Sequence, residues 1–402
     1  MYLFNPEHDL ALANFSPNYT PPASAALMAA ELALLPAWYS GGDPVVAEGE
    51  QHRMHLETVS QRLSVTSSLI SASDISKNPN HPILPWGWNP ALRKRLISCG
   101  VQEERLPSTD DLLRLRDYSD RRHAVRMLRG LQEAEPAFCG ESHHFTSLEE
   151  LLRYLSSFPG DKLLKMPLSG SGKGLIRVLG RITDKQTDWC RRVIREQGGV
   201  VAEPVLNRVK DFAMEFYLEE GKARFAGFSL FRAAVSGAYL GNELLSDSCI
   251  KERLSAYIPG ALLEQLRESL TVRLAARFPH YTGYAGVDMM ICDTIDGYRL
   301  QPCVEINMRM NMGMVARIFH NQFMEEDGEG TFTVGYFKMP GNAFSFHQKM
   351  QQESPLRVVH GKIVSGYLSL TPVVANTRYV GYISVRSSPS SDDNGTELPG
   401  SR

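Results

Sequence analysis

The sequence predicts an α/β domain at the N-terminus, a larger α+β domain after it, and a β-containing segment near the C-terminus. Three observations predict this order. In the N-terminal part, short apolar runs alternate with stretches of helical composition, which is typical of a small α/β domain. The middle of the chain carries a glycine-rich loop between two strand-like runs, followed by two hairpin patterns. Residues 357–385 are rich in β-branched and aromatic residues, which favour strands.

The bulk properties are those of a soluble globular protein, with 43% hydrophobic and 22% charged residues in a chain of 402. This length is too great for one ordinary core. We place domains at 1–107 and 108–321 and a C-terminal segment at 322–386, and we predict that the serine- and proline-rich tail 387–402 is disordered. The net charge of −2 provides no basic field, so no nucleic-acid partner is expected.

The cysteines and the N-terminus indicate the compartment. The six cysteines are far apart and none forms a C-x-x-C pair, so neither a zinc knuckle nor a redox dithiol is predicted. Met1–Asp9 has no basic region before an apolar stretch, unlike a signal peptide. No run approaches the roughly 18 apolar residues of a membrane span. We therefore expect a reducing cytoplasmic compartment and no membrane partner.

Short strands and helices are predicted in turn along the first domain. Strands are expected at Met1–Phe4, Pro44–Ala47 and His81–Pro85, and an alanine- and leucine-rich helix at Ala23–Leu35. Asn89 is a favoured N-cap residue and Pro90 suits the first helical position, so another helix is expected through Ser98. Four histidines are expected at the surface: His52, His55, His143 and His144.

The second domain is predicted to begin with helices and to continue with hairpins. Helices are expected near 110–117 and 120–131, then from the capping-box sequence Ser147–Glu150 through Leu155, and again at Leu262–Phe278. Alternating apolar and polar residues predict one hairpin across 212–230, turned at Glu219–Lys222, and a second formed by 284–292 and 298–307. This mixture of elements is the reason for predicting the α+β class.

The glycine-rich loop is a candidate phosphate-binding segment. It differs from a Walker A loop, because Pro167 stands where the first glycine is required and Gly174 where Ser or Thr is required. The following run Leu175–Leu179 is also strand-like, so we predict a strand–loop–strand cover for a triphosphate. Lys165, on the preceding strand, would reach a phosphate oxygen as a point charge. The candidate loop residues are Ser169, Gly170, Ser171, Gly172 and Lys173. An ordinary glycine hairpin with a solvated lysine is the alternative.

A candidate nucleoside segment follows the next strand. In Glu203–Leu206, backbone groups can face an adenine edge while Val205 and Leu206 pack against the ring. Glu203 would accept a hydrogen bond from the exocyclic amine, and Asp211 would accept from the ribose hydroxyls. A buried strand that ends in Glu-Pro also occurs without any ligand, so that alternative stays open.

A candidate metal site lies on the second hairpin. Asp288 and Glu305 fall on adjacent strands, and the period of two puts Asn307 on the same face as Glu305. Such oxygen ligands suit Mg²⁺, with Mn²⁺ as the alternative ion. Acidic residues in an apolar strand are costly unless they are paired or bound to metal. The alternative to a metal is an ion pair with Arg299 or Arg309.

The order of these motifs resembles the ATP-grasp superfamily over roughly residues 108–321. The resemblance implies that two α+β subdomains clamp ATP and that a carboxylate is joined to an amine or thiol through an acyl phosphate. It implies the following roles: Lys165 on phosphate, Glu203 to Leu206 on adenine, Asp211 on ribose, Asp288, Glu305 and Asn307 on Mg²⁺, and Arg309 near the transferred phosphoryl group. Where many members carry a further lysine before the loop, this chain offers Arg121 or Arg122, and Asp211 stands where glutamate is more usual.

Two N-terminal loops are candidates for the acceptor site. Asn5–Asp9 and Pro85–Asn89 follow predicted strands, where α/β sheets place ligand loops. If these loops converge, His8, Asp9, Trp86 and Trp88 line an acceptor pocket. The alternative is that the tryptophans pack on the core and His8 caps a helix.

These observations lead to one main functional hypothesis, an ATP- and Mg²⁺-dependent ligase that acts on a small-molecule carboxylate and an amine or thiol. A small-molecule kinase and a degenerate ATP-binding regulatory protein are the alternatives. A homodimer is an open possibility for the assembly.

Overall fold

The computed structural model describes residues 1–170, 174–233 and 239–386. The predictions at Ser171, Gly172 and Lys173 and for the tail 387–402 lie outside these residues. Within the described ranges, no helix combines the length and apolar character that crossing a membrane requires.

The N-terminal part forms a four-stranded parallel sheet with helices, which agrees with the predicted α/β class but has one strand, at Leu69–Ile70, more than predicted. Its strands are β1 (Tyr2–Leu3), β2 (Val45–Val46), β3 (Leu69–Ile70) and β4 (Leu84–Pro85), in the order β3-β2-β1-β4. Its helices are α1 (His8–Asn14), α2 (Ala23–Glu31), α3 (Glu50–Ser60) and α4 (Pro90–Ser98).

Two details of these helices test the sequence reasoning. The start of α4 is as predicted, because the Leu92 amide donates to Asn89 Oδ1 at 2.9 Å. Helix α2 is shorter than predicted and ends at Glu31. A 3-10 helix, Leu35–Trp38, follows it. Pro36 explains the break, since a proline ring clashes with the carbonyl four residues earlier in an α-helix.

The prediction of surface histidines is wrong for one of the four. His52 is buried, and its Nδ1 lies 2.7 Å from the Glu48 carbonyl oxygen. His55 and His144 are partly buried, and only His143 is exposed. A helix residue can be buried by a neighbouring element of the fold, and the sequence of the helix alone does not reveal this.

A small antiparallel sheet follows two helices, α5 (Thr109–Tyr118) and α6 (Arg122–Ala134). Its strands are β5 (His143–Phe145), β6 (Lys162–Lys165), β7 (Leu175–Val178) and β8 (Val200–Pro204), in the order β5-β8-β6-β7. Helices α7 (Leu148–Ser157) and α8 (Asp184–Gln197) pack on it. The predicted strand–loop–strand arrangement is present, because β6 and β7 pair antiparallel with Lys165 opposite Leu175.

A nine-stranded antiparallel sheet forms most of the rest. Its strands are β9 (Arg208–Glu219), β10 (Lys222–Ala233), β11 (Tyr239–Leu244), β12 (Gly283–Thr294), β13 (Gly297–Asn307), β14 (Gly330–Tyr336), β15 (Arg357–Val359), β16 (Lys362–Ser369) and β17 (Tyr379–Val385). Their order is β13-β12-β9-β10-β11-β14-β17-β16-β15. Both predicted hairpins, β9–β10 and β12–β13, are present. The four C-terminal strands extend the same sheet.

Four further helices cover this sheet: α9 (Asp247–Ser255), α10 (Gly260–Arg277), α11 (Met312–Phe323) and α12 (Asn342–Glu353). Helix α11 connects the sheet to the N-terminal part. The Trp38 ring lies 5.5 Å from Phe319 and 5.3 Å from Phe323, centroid to centroid. The Met310 amide, just before α11, donates to the Trp86 carbonyl at 3.2 Å. These contacts hold the N-terminal loops against the end of β13.

Candidate active site

The predicted metal residues meet on neighbouring strands. In the β12–β13 pair, Asp288 lies opposite Glu305 and Gly286 opposite Asn307. Asn307 Nδ2 donates to Asp288 Oδ2 at 3.1 Å. Burial raises the pKa of Asp288, and the nearby Glu305 carboxylate raises it further. This crowding of negative charge fits a divalent cation, which commonly uses one or two protein carboxylates together with substrate phosphates. Among the residues the structure describes, no third His, Cys, Asp or Glu completes a cluster of metal-ligating geometry.

The cation that pairs with Glu305 is Arg121. Its NH2 donates to Glu305 Oε1 at 2.6 Å, and the side chain is 7% exposed. Its NH1 donates to the Met166 carbonyl at 2.6 Å and to Ser169 Oγ at 2.8 Å. Arg121 therefore ties the start of the glycine-rich loop to the metal strand. Of the two arginines proposed from sequence, Arg122 turns away, to Asp117 and Asp120.

Arg309 and Asp9 form a second ion pair at the site. Arg309 Nε donates to Asp9 Oδ1 and NH2 to Asp9 Oδ2, both at 2.8 Å, which is the two-pronged geometry of a guanidinium on a carboxylate. Arg309 NH2 also donates to Asn307 Oδ1 at 3.2 Å. Burial alone would raise the pKa of Asp9, but the contact with Arg309 lowers it. Neither Arg309 nor Arg299 satisfies Glu305; Arg299 binds backbone carbonyls of residues 136–138.

The N-terminal loops contribute only part of the expected acceptor pocket. His8 and Asp9 line a small cleft with Glu305, Asn307 and Arg309, of about 20 Å³. His8 is buried, its Nδ1 has no hydrogen-bond partner, and burial lowers its pKa to about 4.

The tryptophans take the alternative role. Trp86 is 5% exposed and packs edge-on against Phe4, with ring centroids 5.1 Å apart. Trp88 packs against the apolar cluster beside α4. Both rings therefore belong to the core of the N-terminal part, whereas the loop that carries His8 and Asp9 reaches the cleft.

The predicted phosphate lysine and adenine glutamate bind each other. Lys165 Nζ lies 2.6 Å from Glu203 Oε2, with only 6% and 10% of the two side chains exposed. Ser142 Oγ donates to the other oxygen, Glu203 Oε1, at 2.9 Å. The alternative of a solvated lysine is therefore excluded, because the adjacent strands β6 and β8 bring the two charges together, and the phosphate role of Lys165 stays a prediction.

The remaining nucleoside candidates are less clearly grouped. The Val205 amide donates to the Asp161 carbonyl at 3.0 Å, while the Val205 side chain is exposed and Leu206 is half-buried. Asp211 pairs with Arg208 at 2.9 Å, and burial raises its pKa. The adenine and ribose roles of these residues remain predictions.

The described part of the glycine-rich loop contacts the N-terminal part of the chain, where Gly170 lies beside Asp9. A Cβ atom on Gly170 would lie 2.0 Å from Asp9 Oδ2, so this approach requires glycine. Ser169 Oγ accepts from Arg121. The Met166 amide donates to the Gly174 carbonyl at 2.9 Å and closes the hairpin from the other side.

Sequence reasoning missed a buried carboxylate beneath the site. Glu215, on β9, is 1% exposed and accepts from Asn311 Nδ2 at 2.7 Å and from Ser229 Oγ at 3.0 Å. Burial raises its pKa to about 7. Cβ atoms on Gly286 and Gly313 would lie 2.7 and 2.3 Å from its oxygens, so small residues surround it. The available signal was an acidic residue inside the apolar run Phe212–Phe216.

Comparison of this chain with known proteins finds similar solved structures at low sequence identity. No family model and no curated protein matches it. Solved structures do match. N5-carboxyaminoimidazole synthetase from Staphylococcus aureus complexed with ADP is 12% identical with a TM-score of 0.46, over 87% of this chain and 94% of that one. Biotin carboxylase from Campylobacter jejuni is 12% identical with a TM-score of 0.49, over 96% and 87%.

A third match is the biotin carboxylase domain of the Hydrogenobacter thermophilus 2-oxoglutarate carboxylase, at 12% identity and a TM-score of 0.49, over 88% of this chain and 83% of that one. At such identities and TM-scores these matches carry no conclusion about function, and the resemblance to the ATP-grasp superfamily stays a prediction.

Proposed function

We propose that the protein is an ATP- and Mg²⁺-dependent ligase, which activates a small-molecule carboxylate as an acyl phosphate for attack by an amine or thiol and releases ADP and phosphate. The observation that supports this most is the meeting of three separate chain segments at the end of β13. The loop residue Ser169, the carboxylate Glu305 and the N-terminal Asp9 are joined there through Arg121 and Arg309. We propose that residues 108–321 carry the nucleotide.

The metal would be held by Asp288 and Glu305, with the Asn307 amide oxygen beside them. When bound there, Mg²⁺ would supply positive charge beside the nucleotide phosphates. Arg121 and Lys165 are the cations that we assign to the phosphates. Each already binds a carboxylate, and in this proposal the nucleotide phosphates take the place of those carboxylates.

The contact between Arg309 and Asp9 is compatible with a carboxylate substrate. A guanidinium that presents two parallel N–H groups binds a carboxylate or a phosphoryl group in this geometry. Asp9 occupies that fork now, and in this proposal a substrate carboxylate or the acyl phosphate derived from it replaces Asp9. The fork then stabilises charge that develops at the transferred group.

Binding is tested first. Thermal unfolding is followed with a non-hydrolysable ATP analogue, with and without Mg²⁺, on the wild type, on Glu305→Gln and on the control Glu149→Gln, an exposed residue of α7. A ligand that binds the native state raises the midpoint. We expect a Mg²⁺-dependent rise in the wild type and the control that is lost in Glu305→Gln. An equal rise in all three proteins would contradict the metal assignment.

Product analysis then separates the ligase from the kinase. The protein is incubated with ATP, Mg²⁺ and pooled carboxylates and amines, and the products are analysed by mass spectrometry with a phosphate assay. A ligase releases ADP and free phosphate together with a condensed product. A phosphorylated acceptor without free phosphate would establish the kinase instead, and nucleotide binding without any turnover would favour the regulatory alternative.

A further inference from the structure

A second cavity lies at the far edge of the large sheet, between α3, α12 and β16. It has a volume of about 290 Å³, close to the lower limit of roughly 300 Å³ for small-molecule sites. Strand β16 is six positions from β12 in the sheet, which at about 4.8 Å a step is roughly 29 Å along the sheet. The cavity is therefore separate from the candidate active site.

The polar groups of the cavity favour a negatively charged occupant. None of the described residues that line the cavity is acidic, whereas three basic residues line it: Arg62, His55 and His347. Arg62 lies on the exposed end of the cavity, and NH2 donates to the Leu356 carbonyl at 2.7 Å. No carboxylate among the described residues pairs with Arg62, so its other N–H groups are available to an anion.

The imidazole of His347 is held in place before any ligand arrives. His347 Nδ1 lies 3.1 Å from the hydroxyl oxygen of Tyr367, a residue that is 2% exposed. This contact leaves Nε2 as the ring nitrogen of His347 open to a ligand. Burial lowers the pKa of His347 and lowers that of His55 to about 4. An anion beside these rings would oppose the effect of burial, because it stabilises the protonated form.

Part of the remaining wall is apolar and is supplied by Val59, Leu63, Leu356 and Leu368, beside the neutral polar residues Thr58, Gln351 and Ser369. A free inorganic ion would leave this surface uncovered, whereas a molecule with an apolar part would bury it. We propose that the cavity binds a small organic anion, with its carboxylate or phosphate group against Arg62 and His347 and its apolar part against Val59 and Leu63.

Thermal unfolding with defined probes tests the proposal. The probes are phenylacetate and phenylphosphate, which share an aromatic ring and differ in the anionic group, and neutral benzyl alcohol. The variants are Arg62→Met, at an exposed position where the fold should tolerate it, and His347→Phe. The control is Lys349→Met, which removes a positive charge from α12 outside the cavity and whose partner is the exposed Glu353.

We expect a concentration-dependent rise in the midpoint with at least one anion, present in the wild type and in Lys349→Met and reduced at least tenfold in apparent affinity in Arg62→Met. A response to phenylacetate alone would indicate a carboxylate ligand, and a response to phenylphosphate alone a phosphate ligand. No response to either anion, an equal response to benzyl alcohol, or an unchanged response in both Arg62→Met and His347→Phe would overturn the proposal.

Discussion

Replacing Arg121 by Met should destabilise the protein strongly, because it breaks a partly buried ion pair at the site. The guanidinium is 7% exposed and donates to Glu305, to the Met166 carbonyl and to both oxygens of Ser169. The substitution removes all of these donors and leaves Glu305, which is 28% exposed, without its cation. Breaking a buried ion pair costs about 3–5 kcal/mol, and the partial exposure of Glu305 places the expected loss at about 3 kcal/mol.

Arg122 provides a matched control on the next residue of the chain. It pairs with Asp117 and with Asp120, and its side chain is 34% exposed. Ion pairs of this kind contribute about 0–1 kcal/mol. Urea unfolding of the wild type, Arg121→Met and Arg122→Met measures both losses in the same way. Equal losses in the two variants would refute the assignment of Arg121 as the link between the loop and β13.

A double-mutant cycle tests whether the loss passes through Glu305. If the contact at 2.6 Å carries much of the effect, Arg121→Met combined with Glu305→Gln should cost less than the sum of the single changes, by about 1–3 kcal/mol. Additive losses would mean that the bonds to the loop backbone account for the whole effect.

Three further predictions concern neighbouring residues. Burial raises the pKa of Glu215 from 4.5 to about 7 in the folded state. Between these values the folded state binds more protons than the unfolded state, so the stability of the protein falls as pH rises. Glu215→Gln should therefore gain stability relative to the wild type across that range in urea unfolding with EDTA, and a constant difference would contradict this. Gly170→Ala should weaken binding of the ATP analogue in calorimetry without loss of helical circular dichroism, because the added Cβ would lie 2.0 Å from Asp9 Oδ2. Unchanged affinity would mean that the loop can move away from Asp9 at no cost. Asp9→Asn should cost about 2 kcal/mol in urea unfolding, because it breaks the partly buried pair with Arg309. A loss below about 1 kcal/mol would show that water replaces the carboxylate.

The parts of the fold that the sequence predicted are those with local signals. The β12–β13 hairpin has an Asp-Gly turn and alternating residues, and α4 has Asn89 and Pro90 at its start. Helix α10 shows leucines at helical spacing, four of which are buried. In each case the neighbours in sequence are also neighbours in space, so a short window of residues contains the information.

Elements without such a signal were missed. Helix α11 was not predicted, and its buried residues lie on all sides of the helix, including Arg317 and His320. A helix buried all round shows no apolar stripe, so periodicity does not reveal it. The ion pairs of the site are further examples: Arg121 and Glu305 are 184 positions apart, and Arg309 and Asp9 are 300 apart. Only the tertiary packing of distant chain segments brings these residues together.

The candidate site also shows why residue types are easier to predict than partners. Lysine, arginine, glutamate and aspartate were each expected to face a ligand, yet three cations of the site already bind three carboxylates: Lys165 with Glu203, Arg121 with Glu305, and Arg309 with Asp9. A buried charge without a partner is costly, so the charged side chains of a site for charged ligands must pair with one another when those ligands are absent. Under the proposed function, the Glu305 carboxylate would hold Mg²⁺, and the cations released from their carboxylates would bind the phosphates. Nucleotide binding would then exchange one set of ion pairs for another. The net cost of desolvating the nucleotide would be smaller than in a site whose side chains are uncharged before it binds.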